Sequence, residues 1–179
     1  IIGCSSIGSV HAEHYAACAG AELAAVADIA PARAKALAAK HGVRHNPPVA
    51  DIKNAEVLLA AVKPQVMDEV LTPLHSLGAS KPLILSIAAG KTIASFERHF
   101  GTDAAVIRTI PNTPAAVGRG ITAMTANRNV SAQQMDLAEQ LLSSIGEVVR
   151  VDDEGLIDAA TAVSGSGPAY VFYLTECLA

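Results

Sequence analysis

The sequence has no tryptophan and only three phenylalanines and three tyrosines, so its core cannot be built on aromatic rings. Alanine, valine, isoleucine and leucine fill that role, the composition of a buried parallel sheet flanked by helices. No run of basic residues interrupts a formal net charge of −4, which argues against a nucleic-acid surface. The three cysteines, Cys4, Cys18 and Cys177, form no CxxC pair. That excludes a disulfide framework and reads as a reduced, cytoplasmic protein. No apolar stretch approaches the ~18 residues of a membrane span, so no membrane partner is expected. The chain opens on "IIGCSSIG" without Met or a basic leader. A signal peptide is therefore not supported, and the natural beginning is expected to be missing. What is present is a 51% apolar, 17% charged chain of 179 residues. It suits one domain, or one domain and part of a second.

Strand-like and helix-like segments alternate. Ile1–Ile2 reads as the tail of a strand, followed by a turn through Gly8 and a helix over about His11–Ala19. Glu22–Asp28 is a second strand, and Pro31 opens an Ala-rich helix closed by Gly42. "EVLLAAVKP" is a third strand, with Val66–Leu77 as the helix after it. "PLILSIAAG", "AAVIRTIPNTP" and "GITAMT" supply further strands. Ser131 caps a helix over Ala132–Ile145, and "GEVVRVD" ends the series. The pattern predicts an α/β, Rossmann-like doubly wound sheet over residues 1–151. Only helix follows, so a boundary falls near Asp152–Glu154 and residues 152–179 begin an all-α region.

"GCSSIG", Gly3–Gly8, keeps the outer two glycines of G-x-G-x-x-G between a strand and a helix, with Ser5 in the middle place. In this motif the first glycine makes the tight turn, the middle one admits a pyrophosphate to the helix N-terminus, and the last lets helix and strand pack closely. Ser5 adds a Cβ there, though its hydroxyl can donate to a phosphate. Asp28 stands about 20 residues beyond the turn, at a strand end, where an acid takes a ribose 2′-hydroxyl and repels a 2′-phosphate. The expected cofactor is NAD(P)H, with Asp28 leaning toward NADH. Arg33 could answer a phosphate but reads as a solvated charge. Ligands of open α/β sheets sit beyond strand carboxyl ends, which adds Ala61, Val62, Lys63 and Pro64, and Ala88 and Ala89.

Taken in order, "AVKPQ", "SIAAG", "IPNTP" and "SGSGPAYVF" resemble the pyrroline-5-carboxylate reductase family from about Val57 to Ala179. The resemblance implies reduction of 1-pyrroline-5-carboxylate to L-proline by NAD(P)H, a Rossmann domain, and a C-terminal helical domain that forms homodimers or higher homo-oligomers. It further implies cofactor contacts at Gly3, Ile7, Gly8, Val62, Lys63, Ala88 and Ala89. On the substrate side it points to Glu154 and the Ser164, Gly165, Ser166, Gly167 loop. The family usually keeps the glycine replaced by Ser5, and often has a small or amide residue followed by Arg where this chain has Asp28–Ile29; that pattern suits NADPH. Family members also run past Ala179, so the helical domain is expected to be truncated.

Two competing readings stand beside this one. Ile1–Val43 looks more like the start of glucose–fructose oxidoreductase-type dehydrogenases, which would make the chain a hybrid or a sugar or alcohol dehydrogenase. The other is an inactive nucleotide-binding fragment, favoured if Ala169–Leu178 exposes an apolar face. For the reductase, a Gly-rich turn feeding a helix would offer N–H groups and hydroxyls to the substrate carboxylate. Ser166 or Gly167 as a plain helix cap remains equally open from the residues alone. Glu154 could hydrogen-bond the ring nitrogen and favour its protonated form. No residue is a compelling proton donor. His11 and His14 lie one helical turn apart without a third ligand, so surface or packing roles are expected and no metal. Cys4 reads as a small core residue. "PNTP" reads as a rigid turn without chemistry.

Overall fold

The computed structural model describes all 179 residues. Seven strands form, β1 (Ala25–Val26), β2 (Arg44–His45), β3 (Val57–Ala60), β4 (Leu83–Ser86), β5 (Val106–Ile110), β6 (Gly120–Ala126) and β7 (Gly146–Arg150). Ile2 bridges Ala27 on one side and Ala60 on the other, both in parallel. The order across the sheet is therefore β2, β1, Ile2, β3, β4, β5, β6, β7. The first strand position lies inside the sheet and later strands extend away on both sides, so the order reverses between Ile2 and β3. That reversal is where open α/β sheets bind their ligands.

Helices α1 (Ser6–Ala16), α2 (Pro31–His41), α3 (Met67–Leu71), α4 (Ile93–Phe100) and α5 (Ala132–Ser143) cover the two faces. Alternation along each strand assigns the sides. Leu83 and Leu85 of β4 pack with Leu59, Ile107 and Met124 against Tyr15 of α1 and Leu141 and Leu142 of α5. Ile84, Leu58 and Val106 face the other way, onto Met67, Leu71, Phe96 and Phe100. The fold is the doubly wound α/β sheet that the alternating pattern predicts, with one departure. A short 3-10 segment, Thr113–Val117, joins β5 to β6, and β6 runs antiparallel to β5. A parallel return needs a crossover of a dozen or more residues, which this connection lacks.

Three local expectations change. The first helix begins at Ser6, so Gly8 lies within it rather than in a turn. Val66–Leu77 is not one helix: Pro64–Val66 and Thr72–Ser80 are 3-10 segments around the short α3. Pro73 lacks the N–H that would continue the α-helical ladder. And α4 goes unread in the sequence, although Ile93, Phe96 and Phe100 share one face and all are buried. The cap on α5 is as expected: Ser131 Oγ accepts from Gln134 N at 3.2 Å, and Gln134 Oε1 accepts from Ser131 N at 3.0 Å.

Beyond β7 the chain is helical: α6 (Gly155–Ala160), a π-helical turn (Thr161–Gly165) and α7 (Gly167–Leu178). Ile157 is the only buried residue between 152 and 179. No helix is long and apolar enough to cross a membrane. Phe96 is fully buried on the face that α4 presents to the sheet, so Phe96→Ala should lower unfolding stability by about 3–5 kcal/mol. Urea titration followed by far-UV circular dichroism checks this; a loss under about 1 kcal/mol would mean that α4 is not part of the core.

Candidate active site

The carboxyl ends of Ile2, β3, β4 and β5 lie side by side along one sheet edge. At Gly3 the backbone adopts φ +96° and passes so close to the next strand that a Cβ would lie 2.4 Å from Ala61 O. On α1, a Cβ at Gly8 would fall 1.9 Å from Gly3 O. Glycine is thus obligatory at both positions. The result is an eleven-residue helix whose N-terminus opens over the point where the sheet order reverses. A helix N-terminus so placed suits an anionic phosphate group, and the residues fit a dinucleotide. Ser5 takes the N-cap position at φ −75°, a conformation open to any residue, and its side chain makes no capping bond. Serine is therefore tolerated in the middle place of the motif, with its hydroxyl uncommitted. Ile7 is half-buried behind it, packed against the core.

Asp28 is more occupied than the sequence suggests. Its Oδ2 accepts from Cys4 N at 2.8 Å, which ties it to the glycine loop. Its Oδ1 accepts from Ala30 N at 2.7 Å and from Arg33 Nη2 at 2.9 Å. Burial by itself would raise the carboxyl pKa, but these N–H groups and the Arg33 charge outweigh it and hold the group below its ordinary value. Arg33 is accordingly not a free solvated charge but the partner of Asp28. Cys4 is buried with its thiol pushed up to about 11, first by burial and then by the neighbouring Asp28 charge, so it is a core residue and no nucleophile. His11 is likewise packing: it lies edge-on to Tyr15, with Nδ1 2.9 Å from the phenol oxygen, and burial lowers its pKa to about 4.

Along the same edge, Ala61 is buried, Val62 and Pro64 are half-buried and Lys63 is exposed. Ala88 is buried, its N–H donating to Ser86 Oγ at 3.2 Å, while Ala89 is exposed beside it. The edge then reaches "PNTP". Asn112 Oδ1 accepts from Ile121 N at 3.0 Å, and its Nδ2 donates to Ser164 Oγ at 3.2 Å. The rigid turn therefore grips the "SGSG" segment, a tie that no local sequence signal announces.

That segment differs from the expected open turn. Ser166 has helical dihedrals, φ −93° and ψ −25°, and its N–H reaches back to Thr161 O at 2.9 Å. Its hydroxyl donates to the same oxygen at 3.0 Å. Pro168 offers no N–H and would crowd the carbonyl four residues before it. The wider π turn just ahead absorbs that misfit, and such bulges recur at functional sites. The helix thus runs through Ser164–Gly167 rather than starting there, which removes the simple argument from a free helix end. A Cβ at Gly167 would meet nothing within 4 Å, so the protein leaves space above it. Glu154 Oε1 accepts from Ile93 N at 2.8 Å and from Arg108 Nη1 at 3.0 Å. Its Oε2 has no protein partner. Arg108 is the functional candidate that sequence reasoning missed: a charged residue in the apolar strand "AAVIRTI" is its only signal.

Comparison with known proteins places these features. Residues 154–179 match the family model for pyrroline-5-carboxylate reductase dimerisation. Residues 1–90, on both sides of Val43, match that for NADP oxidoreductase, coenzyme F420-dependent. A pyrroline-5-carboxylate reductase of Synechocystis sp. is 48% identical over 149 residues, covering 83% of this chain and 55% of that protein. The chain spans about half the length of the curated relatives it matches. Among solved structures, the pyrroline-5-carboxylate reductase of Coxiella burnetii superposes with a TM-score of 0.88 at 31% identity, over 99% of this chain and 67% of that one. The pyrroline carboxylate reductase of Plasmodium falciparum, solved with NADP bound, gives 0.82 at 26% identity, over 99% and 65%.

The Asp28 environment carries a pH signature. Its folded pKa is depressed, so its contribution to stability is complete above the unfolded carboxyl value of about 3.9 and is lost as pH falls below it. Asp28→Asn should therefore flatten the acid limb of a stability-against-pH profile while leaving its slope near neutrality unchanged. Urea midpoints measured in steps down from pH 6 test this, and an unaltered acid limb would contradict it.

Proposed function

This chain belongs to the pyrroline-5-carboxylate reductase family, and from that membership we propose that it carries the catalytic face for NAD(P)H-dependent reduction of 1-pyrroline-5-carboxylate to L-proline. The observation that carries this reading is one of placement. The glycine cradle and the π-helical "SGSG" segment lie along a single sheet edge, linked by the ends of β3, β4 and β5. We assign residues 1–151 to the cofactor unit and 152–179 to the start of the helical substrate and dimerisation unit.

A reduced nicotinamide, when bound, supplies the hydride; the protein supplies binding and orientation. Gly3, Gly8 and the N–H groups opening α1 would hold the pyrophosphate, with Ser5 Oγ as an added donor. Ala61, Val62, Lys63 and Pro64, with Ala88 and Ala89, would line the path toward the reacting ring. At the far end the Ser164 hydroxyl keeps its proton free to donate, the Ser166 hydroxyl is turned back to Thr161 O, and Gly167 leaves room for a small ring. Glu154 offers its unpaired Oε2 to the imine nitrogen. A carboxylate there favours the protonated imine, whose carbon is the better hydride acceptor. No side chain in this set serves as a proton donor, so the reactive species is an iminium already formed in solution or one protonated by water.

Asp28 supports NADH as the preferred cofactor, and Arg33 explains how NADPH would be accommodated. Removing the carboxylate also frees the guanidinium for a 2′-phosphate. Homo-oligomers are proposed on α7, where Tyr170, Val171, Phe172, Tyr173, Leu174 and Leu178 are all exposed. A helix apolar all round belongs in an interior. The three free cysteines are consistent with a cytoplasmic setting. A sugar or alcohol dehydrogenase of the glucose–fructose oxidoreductase type has a sheet domain directly after its Rossmann unit, whereas residues 155–178 are helical.

Absorbance at 340 nm, followed with pyrroline-5-carboxylate and either cofactor, tests the assignment. The expected result is imine-dependent oxidation of NADH in preference to NADPH. Cofactor binding without turnover would instead identify an inactive nucleotide-binding fragment. Asp28→Ser should move the NADPH/NADH ratio of kcat/KM upward by about 10-fold, and adding Arg33→Ala should cancel most of the gain. A ratio that does not move would remove Asp28 from cofactor selection.

A further inference from the structure

Arg108 is the largest polar side chain buried in this fold, at 2% exposure in the middle of β5, whose other residues are all buried as well. A guanidinium in such a place must be paired, because an unpartnered buried charge is strongly unfavourable. Its two partners come from the helical end of the chain. Nη1 donates to Glu154 Oε1 at 3.0 Å, and Nη2 donates to Asp158 Oδ1 at 2.5 Å. Glu154 and Asp158 are four residues apart around the start of α6, so one planar fork reaches both. Nε has no partner. Glu154 Oε1 receives a second donor, the Ile93 amide at the start of α4. Two elements, β5 and α4, thus converge on one carboxylate oxygen, while the other oxygen of the same group has no hydrogen-bond partner in the protein.

We propose that Arg108 is a positioning residue for the reaction, holding Glu154 Oε1 so that Oε2 stays available to the substrate's ring nitrogen. The proposal rests on the reading of Glu154 as the carboxylate facing the imine. Two donors on the same oxygen, Arg108 Nη1 and the Ile93 amide, hold Oε1 in place, which matters because misplacing a reacting partner by about 1 Å can cost about 100-fold in rate. The guanidinium also sets the local charge. With it, the trio carries one net negative charge; without it, two carboxylates crowd the same point.

The asymmetry of exposure makes this testable without destroying the fold. Glu154 is 32% exposed and Asp158 is 68% exposed, so both can be rehydrated if the arginine is removed. Arg108→Met keeps the length of the stem and the burial while removing the fork. Arg108→Lys keeps the charge but offers a single point of attachment. Steady-state kinetics on the full chain should show Arg108→Met lowering kcat/KM for pyrroline-5-carboxylate by about 100-fold, with KM for NADH held within about two-fold. Arg108→Lys should recover about a tenth of the wild-type value.

Hydrogen exchange at the Ile93 amide gives a second readout. It should quicken in Arg108→Met, because Glu154 is no longer anchored, and less so in Arg108→Lys. An imine kcat/KM in Arg108→Met within about two-fold of wild type would overturn the proposal. So would a parallel loss of cofactor affinity and thermal stability, which marks a merely structural role. Absence of turnover in the wild-type chain would sink the functional reading itself. The clamp would then be decided by exchange alone: an unchanged Ile93 amide in Arg108→Met overturns it, and a faster one supports it.

Discussion

The close approach of Gly3 to the carbonyl of Ala61 is the constraint on which the rest of this architecture depends. It brings the first strand position against β3, and with it α1, whose Gly8 must in turn lie on Gly3. Neither contact admits a side chain, so the glycine loop is stacked backbone to backbone on the sheet edge. Everything nearby takes its position from that stack. The Cys4 amide is delivered to Asp28, the N-terminus of α1 is aimed across the reversal of strand order, and Ser5 is left at the cap with an idle hydroxyl. The middle glycine of the motif is the one member that this geometry does not require, which accounts for its replacement.

A second joint holds the helical segment to the sheet, and it is of a different kind. Burial of Ile157 supplies roughly 1.5–3 kcal/mol. The remaining ties are polar and directional: Arg108 to Glu154 and Asp158, Glu154 to the start of α4, and Asn112 to Ser164. Buried ion pairs contribute little net stability, since desolvation offsets much of the attraction. Their value here is angular. They fix how the helix passes over the strand ends, so the position of "SGSG" relative to the glycine cradle is set by a few hydrogen bonds and not by a large apolar interface.

Sequence patterns revealed what depends on near neighbours. Apolar runs located β3 to β7 within a few residues, Pro31 and Gly42 bounded α2, and Ser131 capped α5. The α4 stretch carried a readable signal at Ile93, Phe96 and Phe100 but is short and sits between two strands, where a loop is the easier reading. Other features had no local trace. The antiparallel turn of β6 follows from the length of a connection whose ends both look like strand termini. The π turn depends on how Pro168 misfits the carbonyl before it, and propensity alone would have placed a helix start there. The partners of Glu154 lie 46 and 61 residues away, so no local pattern could announce them. Asp28 was singled out as a cofactor ligand, but its pairing with Arg33 was not foreseen, because a helical arginine among alanines looks like surface.

These two joints explain why a site of this kind would sit where it does. A cofactor cradle needs rigid backbone, and the sheet provides it through contacts that tolerate no variation. On the proposed reading, a small anionic imine would need a hydroxyl, a carboxylate and free volume, and the helical turn has Ser164, Glu154 and an uncovered Gly167. Placing both functions on one element would force either the cradle to loosen or the substrate wall to stiffen. Separating them requires a connection that transmits position without filling the space between. A buried arginine does that well: its stem is packed into β5, and its fork reaches out to the helix that bears the carboxylate. Arg108, buried in β5, is thus one of the few ties through which the sheet sets the position of that carboxylate, beside the Ile93 amide.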